Sequence, residues 1–116
     1  MSLGRHLFAE LYGCDRAALD DVAVIVELAK KAVIASHGTI LGVQSHAFEP
    51  QGVTALIMIA ESHLALHTWP EHAYLAFDYF TCGDRIDPDV ALRTLLDALK
   101  PARWESRLVE RGQSLV

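Results

Sequence analysis

Residues 39–82 read TILGVQSHAFEPQGVTALIMIAESHLALHTWPEHAYLAFDYFTC, and this stretch decides the fold of the 116-residue chain. It is rich in β-branched and aromatic residues, and turn signals at Pro50-Gln51-Gly52, Glu61-Ser62 and Trp69-Pro70-Glu71 divide it into four runs. Runs of this length and composition, separated by short turns, are typical of strands joined by hairpins. We therefore predict an antiparallel meander of four strands.

A strand and a helix are predicted before the meander. Residues 7–12 have the mixed composition of a short strand, and Asp15 is a suitable helix N-cap. Across residues 18–36 apolar side chains recur every three or four positions, which indicates a helix that packs through one face. Gly38 follows as the expected left-handed residue after the helix.

A second helix and a last strand are predicted after the meander. Asp87-Pro88-Asp89 combines a helix cap, a first-turn proline and an acidic residue, which predicts the start of a helix. The apolar stripe that follows ends at Pro101. Residues 102–110 are predicted as a strand. The whole chain, residues 1–116, is thus expected to be a single α+β domain. It should form a two-layer sandwich, a mainly antiparallel sheet with two helices on one face.

Residues 53–60 are apolar nearly throughout, which predicts a central strand covered on both faces. Two helices on one side leave the other face of the sheet bare. Soluble proteins rarely leave such a face open, and closed twofold dimers are the commonest way to cover it. We therefore expect a homodimer that extends or covers the sheet.

Composition excludes several classes of protein. Fifteen acidic residues against ten Lys plus Arg give a formal charge of -5, so nucleic acid is not an expected partner. Residues 55–60, an apolar run, are far too few to span a bilayer, and Glu10 interrupts the apolar stretch after Arg5 that a secretory signal would need. We expect no membrane association, a cytoplasmic location, and free thiols at Cys14 and Cys82.

The polar residues that could carry chemistry are concentrated in two stretches, residues 61–71 and 78–83. If a turn ends at Ser62, strand alternation puts His63 and His67 on one side of the next strand, and the following strand can bring Cys82 alongside. A small polar cluster is therefore predicted.

The turn before this strand predicts backbone strain. Two-residue hairpin turns favour glycine because they need positive φ, and Glu61-Ser62 contains none. A non-glycine residue held in such a conformation carries about 1–3 kcal/mol of strain.

Two alternative chemistries use the same residues. A serine hydrolase would need a Gly-x-Ser-x-Gly elbow around Ser62, which is absent. A zinc site could use His63, His67 and Cys82 as three ligands, although their spacing matches no strong zinc signature. Taken singly, each histidine or cysteine is also compatible with a structural role in the core.

The motifs taken together resemble the small prokaryotic S-adenosylmethionine decarboxylases, pyruvoyl-dependent lyases of polyamine and spermidine biosynthesis. The resemblance covers nearly the whole chain. It rests on Leu3-Gly4-Arg5-His6, Cys14-Asp15, Gly52-Val53, Glu61-Ser62-His63-Leu64, His67-Thr68-Trp69-Pro70-Glu71, Phe80-Thr81-Cys82-Gly83 and Glu110-Arg111-Gly112. A run as long as the two central motifs is not expected by chance.

The resemblance implies that the chain is a zymogen. In this family the equivalent of Ser62 attacks the carbonyl of Glu61, and elimination then leaves a covalent pyruvoyl group that binds substrate as a Schiff base. Autocatalytic cleavage would give chains 1–61 and 62–116. Decarboxylation of an α-amino acid needs such an electron sink, and no metal is implied.

By the same resemblance, His67 is the proton acceptor in processing and Cys82 the proton donor to the substrate. Phe48 would stack on adenine and Glu71 would bind the ribose hydroxyls. The family usually reads Gly-Val-Ser-Gly where this chain has Gly52-Val53-Thr54-Ala55, so the effect of that change on processing is open.

Two further readings remain beside S-adenosylmethionine. Relatives within the family decarboxylate L-ornithine or L-arginine, and a non-catalytic dimeric scaffold that never matures would keep the same fold. Phe48 and Glu71 favour the nucleoside substrate, because a simple basic amino acid needs neither an aromatic stack nor a diol acceptor.

Overall fold

The structure, a computed structural model, describes residues 2–115. It is a six-stranded antiparallel sheet with helices on one face. The elements are β1 (Gly4–Tyr12), α1 (Arg16–Leu19), α2 (Val22–Ala35), β2 (Ile40–Ala47), β3 (Val53–Ile59), β4 (Ser62–Trp69), a 3-10 turn (Pro70–His72), β5 (Tyr74–Cys82), α3 (Pro88–Leu99) and β6 (Arg103–Arg111). None of the helices among these residues is long and apolar enough to cross a membrane.

The strand order is β2-β3-β4-β5-β1-β6, so the predicted four-stranded meander is confirmed and β1 pairs between β5 and β6. The α+β two-layer prediction is also confirmed. Alternate residues of every inner strand turn towards the helices and form one core with them, as Leu7, Ile57, Leu66 and Phe77 do. The opposite side of the sheet, here called the open face, is not covered by any part of residues 2–115.

The prediction for residues 53–60 needs one correction, because β3 lies second from the sheet edge and not at its centre. The helices cover one of its faces, and coverage of the other by a second copy of the chain stays a prediction. Ile57 is fully buried, whereas Leu56 and Met58 on the open face are 41% and 62% exposed. The alternation of buried and exposed positions could not be recognised in the sequence, because the exposed positions on the open face of this strand are also apolar.

The first predicted helix is two helices. Asp15 caps α1 as expected, but the Asp21 carboxylate accepts the backbone N–H groups of Ala23 and Val24 and starts α2 afresh. The Asp20 carboxylate between them accepts the Gly52 N–H at 2.9 Å, which ties this break to the β2–β3 turn. The left-handed residue after α2 is His37, with φ of 73°, and not Gly38.

The last third of the chain follows its prediction closely. Asp87 caps α3 through the Asp89 N–H, and Pro88 occupies its first turn. The helix ends at Leu99, and Lys100 is its C-cap, directly before Pro101. The final strand β6 is shifted by one residue from the predicted range.

Two buried hydroxyl groups connect the helices to the sheet. The Thr68 hydroxyl donates to the Leu19 carbonyl and accepts from the Val53 N–H, both at 2.8 Å. The Ser36 hydroxyl lies 2.7 Å from that of Tyr79, and burial raises the pKa of Tyr79. These contacts fix α1 and the end of α2 over β3, β4 and β5.

We predict that Thr68→Val destabilises the protein by about 2–4 kcal/mol, because the substitution leaves the buried Leu19 carbonyl and Val53 N–H without partners. Thr68→Ser keeps the hydroxyl and should cost only about 1 kcal/mol for the lost methyl group. Urea unfolding of the two variants measures the difference. Equal losses would show that the hydroxyl contributes nothing.

Candidate active site

The predicted site residues occupy two separate ends of the open face. His63 and His67 do lie on the same face of β4, as expected, but Ser62 and His67 are five positions apart in the strand. At ~3.3 Å per residue this is about 16 Å. We call the two regions the Ser62 end and the His67 end.

The hairpin between β3 and β4 has Ala60 and Glu61 in its turn, with Ile59 paired to Ser62. The strain expected here is confirmed at Ser62, whose φ is 144°. Glu61 is not among the residues with positive φ, so the strain falls on one residue only. Ser62 therefore begins β4 in a conformation that L-amino acids rarely adopt.

The carbonyl of Glu61 is held in place by neighbouring backbone. Its oxygen accepts the Cys82 N–H at 2.8 Å. The Glu61 carboxylate accepts the Thr39 N–H at 3.2 Å, and the Ala60 N–H donates to the Thr39 carbonyl at 2.9 Å. An N–H directed at a carbonyl oxygen stabilises the negative charge that develops there under nucleophilic attack.

The side chains around Ser62 include a base and an unsatisfied donor. Ser62 Oγ lies 3.3 Å from His63 Nδ1. Thr81 pairs with Ser62 across β4 and β5, and its fully buried hydroxyl is the one buried side-chain polar atom in residues 2–115 without a hydrogen-bond partner. Buried polar groups are almost always paired, so this hydroxyl marks a place where a further acceptor fits.

Cys82 and Cys14 differ in accessibility, as a reactive and a structural thiol should. Cys82 is exposed and follows the strand position opposite Ser62. Cys14 is buried in the core, and burial raises its pKa to about 11. Only Cys82 is available to exchange a proton with a bound molecule.

A cluster of rings that sequence reasoning did not single out lies next to Ser62. His6 stacks on Phe8 with ring centroids 4.1 Å apart, and the His63 ring meets those of His6 and Phe80 edge-on at 6.1 and 6.0 Å. Asp78 accepts from His6 at 3.2 Å, yet burial outweighs this carboxylate and lowers the pKa of His6. No local pattern signals the cluster, because its residues come from β4, β5 and the distant strand β1.

The His67 end contains the other predicted residues. His67 Nδ1 lies 3.2 Å from Thr54 Oγ1, so the threonine in the usual serine position keeps a hydroxyl contact with the histidine. Phe48 follows β2 and Glu71 follows β4 at this end, and both are exposed. The prediction that His67 clusters with Cys82 within one chain was therefore wrong, because alternation fixes the face of a residue but not its distance.

The same separation removes the geometric basis of a zinc site built within one chain. His63 and Cys82 lie at the Ser62 end and His67 does not. Within residues 2–115 no group of three or more His, Cys, Asp and Glu side chains is placed to hold a metal ion.

We predict that Ser62→Gly is more stable than Ser62→Ala by about 1 kcal/mol or more, because glycine adopts this φ without strain. In an ordinary strand the order is the reverse, with glycine about 0.5–1 kcal/mol worse. Both variants lack the hydroxyl and can be compared as intact chains by urea unfolding. The ordinary order would show that position 62 is unstrained.

Comparisons with known proteins agree with this geometry. The family model described as S-adenosylmethionine decarboxylase matches residues 5–112. The S-adenosylmethionine decarboxylase proenzyme of Thermotoga maritima is 48% identical over 112 residues (97% of this chain, 86% of the relative), and that of Methanococcus aeolicus is 42% identical over 110 residues (95% and 94%). The crystal structure of the adenosylmethionine decarboxylase from Aquifex aeolicus superposes with a TM-score of 0.90 at 37% identity, covering 96% of this chain and 92% of that one. The chain belongs to the S-adenosylmethionine decarboxylase family.

Proposed function

We propose that this chain is made as a proenzyme, cleaves itself between Glu61 and Ser62, and then decarboxylates S-adenosylmethionine to the aminopropyl donor of polyamine synthesis. The observation that carries the proposal is the strained Ser62, placed directly after a carbonyl that the Cys82 N–H holds at 2.8 Å. The relatives of this chain named above are proenzymes, which supports maturation by cleavage.

Cleavage needs two steps. In the first, Ser62 Oγ bonds to the Glu61 carbonyl carbon, the C–N bond breaks, and the hydroxyl proton passes to the released nitrogen, so that an amide becomes an ester. In the second, a base removes the Ser62 α-proton, and the Cβ–Oγ bond breaks with Glu61 leaving as a carboxylate. We assign His67 to this second step. Hydrolysis of the resulting enamine releases ammonia and leaves a pyruvoyl group on chain 62–116.

The residues at the Ser62 end fit such a group. The unpaired Thr81 hydroxyl lies across from position 62, where it can donate to a carbonyl oxygen. A pyruvoyl group supplies the electron sink that decarboxylation requires. The Cys82 thiol is exposed beside it, and we assign it as the proton donor to the substrate α-carbon.

The His67 end supplies the recognition of a nucleoside. The exposed Phe48 ring is available to stack on adenine, and the substrate's positive sulfonium favours an aromatic neighbour. The Glu71 carboxylate is available to the ribose hydroxyls. The relatives named above give no support to ornithine or arginine as substrate.

These roles require two copies of the chain. About 16 Å separates Ser62 from His67 within β4, and Phe48 and Glu71 lie still further from Ser62 along the sheet. A twofold axis through the open face would set the Ser62 end of one copy against the His67 end of its partner. We therefore propose a homodimer in which each active site uses both chains.

The open face is suited to such an interface. Four large apolar residues on this face are each between 39% and 62% exposed: Phe8, Leu56, Met58 and Trp69. Apolar patches of this kind on a single chain mark association surfaces. The exposed Cys82 thiol also suits a reducing compartment, in keeping with a cytoplasmic location.

We expect the purified protein to show two components under denaturing conditions, chains 1–61 and 62–116, the second with a blocked N-terminus that borohydride reduces. Ser62→Ala should remain one 12.8 kDa component.

Released carbon dioxide, measured with S-adenosylmethionine, ornithine and arginine, identifies the substrate. Preference for an amino acid would refute the nucleoside assignment, and an uncut wild-type chain without turnover would leave the scaffold reading. Cys82→Ala is the control that should still cleave but turn over poorly.

Mixed dimers test the shared site. Ser62→Ala and His67→Ala homodimers should each fail to cleave, because every site in them lacks one partner. Co-expressed, the two variants form dimers with one site that has both residues, and cleavage of the His67→Ala chain alone should return. Mass spectrometry tells the chains apart. No cleavage in the mixture, with mixed dimers shown by tagged pull-down, would mean that one chain supplies both residues.

A further inference from the structure

We propose that His63 is the base for the first step of self-cleavage, taking the proton from Ser62 Oγ as that oxygen attacks the Glu61 carbonyl. The inference rests on the proposed function and adds a catalytic residue to it. It separates the two proton transfers of maturation, giving the first to His63 and leaving the second to His67.

Distance is the first argument. His63 Nδ1 lies 3.3 Å from Ser62 Oγ, within the range of a hydrogen bond. In the same chain His67 is about 16 Å away along β4 and is occupied by Thr54 Oγ1 at 3.2 Å. The nucleophile therefore has a base of its own before a second copy of the chain arrives.

The orientation of the His63 ring is the second argument. The exposed His63 ring meets the Phe80 and His6 rings edge-on, at centroid distances of 6.0 and 6.1 Å. To accept from Ser62, Nδ1 must be unprotonated, so the ring proton is carried on Nε2. A ring that already presents Nδ1 to the hydroxyl needs little reorientation before the attack.

The proton balance of the step needs only this residue. His63 takes the hydroxyl proton while the Oγ–C bond forms, and returns it to the Ser62 nitrogen as the C–N bond breaks. Nothing is oxidised or reduced, and the imidazole is regenerated. The Cys82 N–H meanwhile holds the oxygen on which negative charge develops.

His63→Asn tests the assignment, because an asparagine oxygen can accept the same hydrogen bond but is not a base. The first-order rate of cleavage, followed by denaturing mass spectrometry, should fall on the order of 100-fold, the usual contribution of a general base. His72→Asn, which changes an exposed histidine at the opposite end of β4, is the matched control and should cleave at the wild-type rate.

Hydroxylamine shows where each variant stops. It cuts esters and leaves amides intact, so His63→Asn should stay resistant while His67→Asn accumulates a species cut after Glu61. Added imidazole should restore cleavage of His63→Ala. This rescue distinguishes a missing base from a misfolded chain.

A His63→Asn chain that cleaves at the wild-type rate, or that accumulates the ester, would overturn the assignment and leave the proposed function intact. A His63→Ala chain that imidazole does not rescue counts against it equally. A wild-type chain that never cleaves would overturn the function and the assignment together.

Discussion

The hairpin between β3 and β4 contains no glycine, and its one residue with positive φ is Ser62, the first residue of β4. The strands on both sides leave it no alternative: β4 is paired with β3 and β5 along its length, and Glu61 is held through both its carbonyl and its carboxylate. Strain persists only where surrounding structure over-determines the backbone. Conversion of the amide to an ester followed by cleavage removes the restraint on that peptide, so the fold itself favours the proposed reaction.

The second organising feature is the division of the open face into two ends. One end has the nucleophile, its neighbouring histidine and the exposed thiol, and the other has the groups suited to a nucleoside. A single chain thus contains every component of the proposed site but in two places. In the proposed homodimer, twofold symmetry would join the halves without any additional element, twice per dimer.

Sequence patterns predicted most of the fold and the candidate site residues, but not the arrangement of those residues. The meander and α3 were readable because turns, caps and apolar spacing are local signals. The break in the first helix was missed because the Asp20 contact with Gly52 that ties it to the sheet is long-range. His67 was placed on the correct face and in the wrong group, since alternation carries no information about separation along the strand.

The chemistry around Ser62 was predictable in part. Absence of glycine at the turn correctly predicted strain, and the family motif named Ser62 and Cys82. The contact of His6 with Asp78 joins two strands that are more than fifty residues apart in sequence. The unsatisfied Thr81 hydroxyl depends on how β4 pairs with β5. Neither feature produces a local pattern in a single sequence.

The position of β1 has a consequence for how the cleaved protein would unfold. β1 belongs to the segment before the proposed cut yet pairs with β5 and β6 from the segment after it, so three of the five strand pairings join the two pieces. After cleavage, strands from the two chains would alternate within one sheet, with β1 of the first chain between β5 and β6 of the second. Unfolding would then become dissociation, dependent on protein concentration, and the peptide bond that first guided assembly would no longer exist. A matured molecule that has been denatured could refold only if two separate chains found each other and paired in the same strand order.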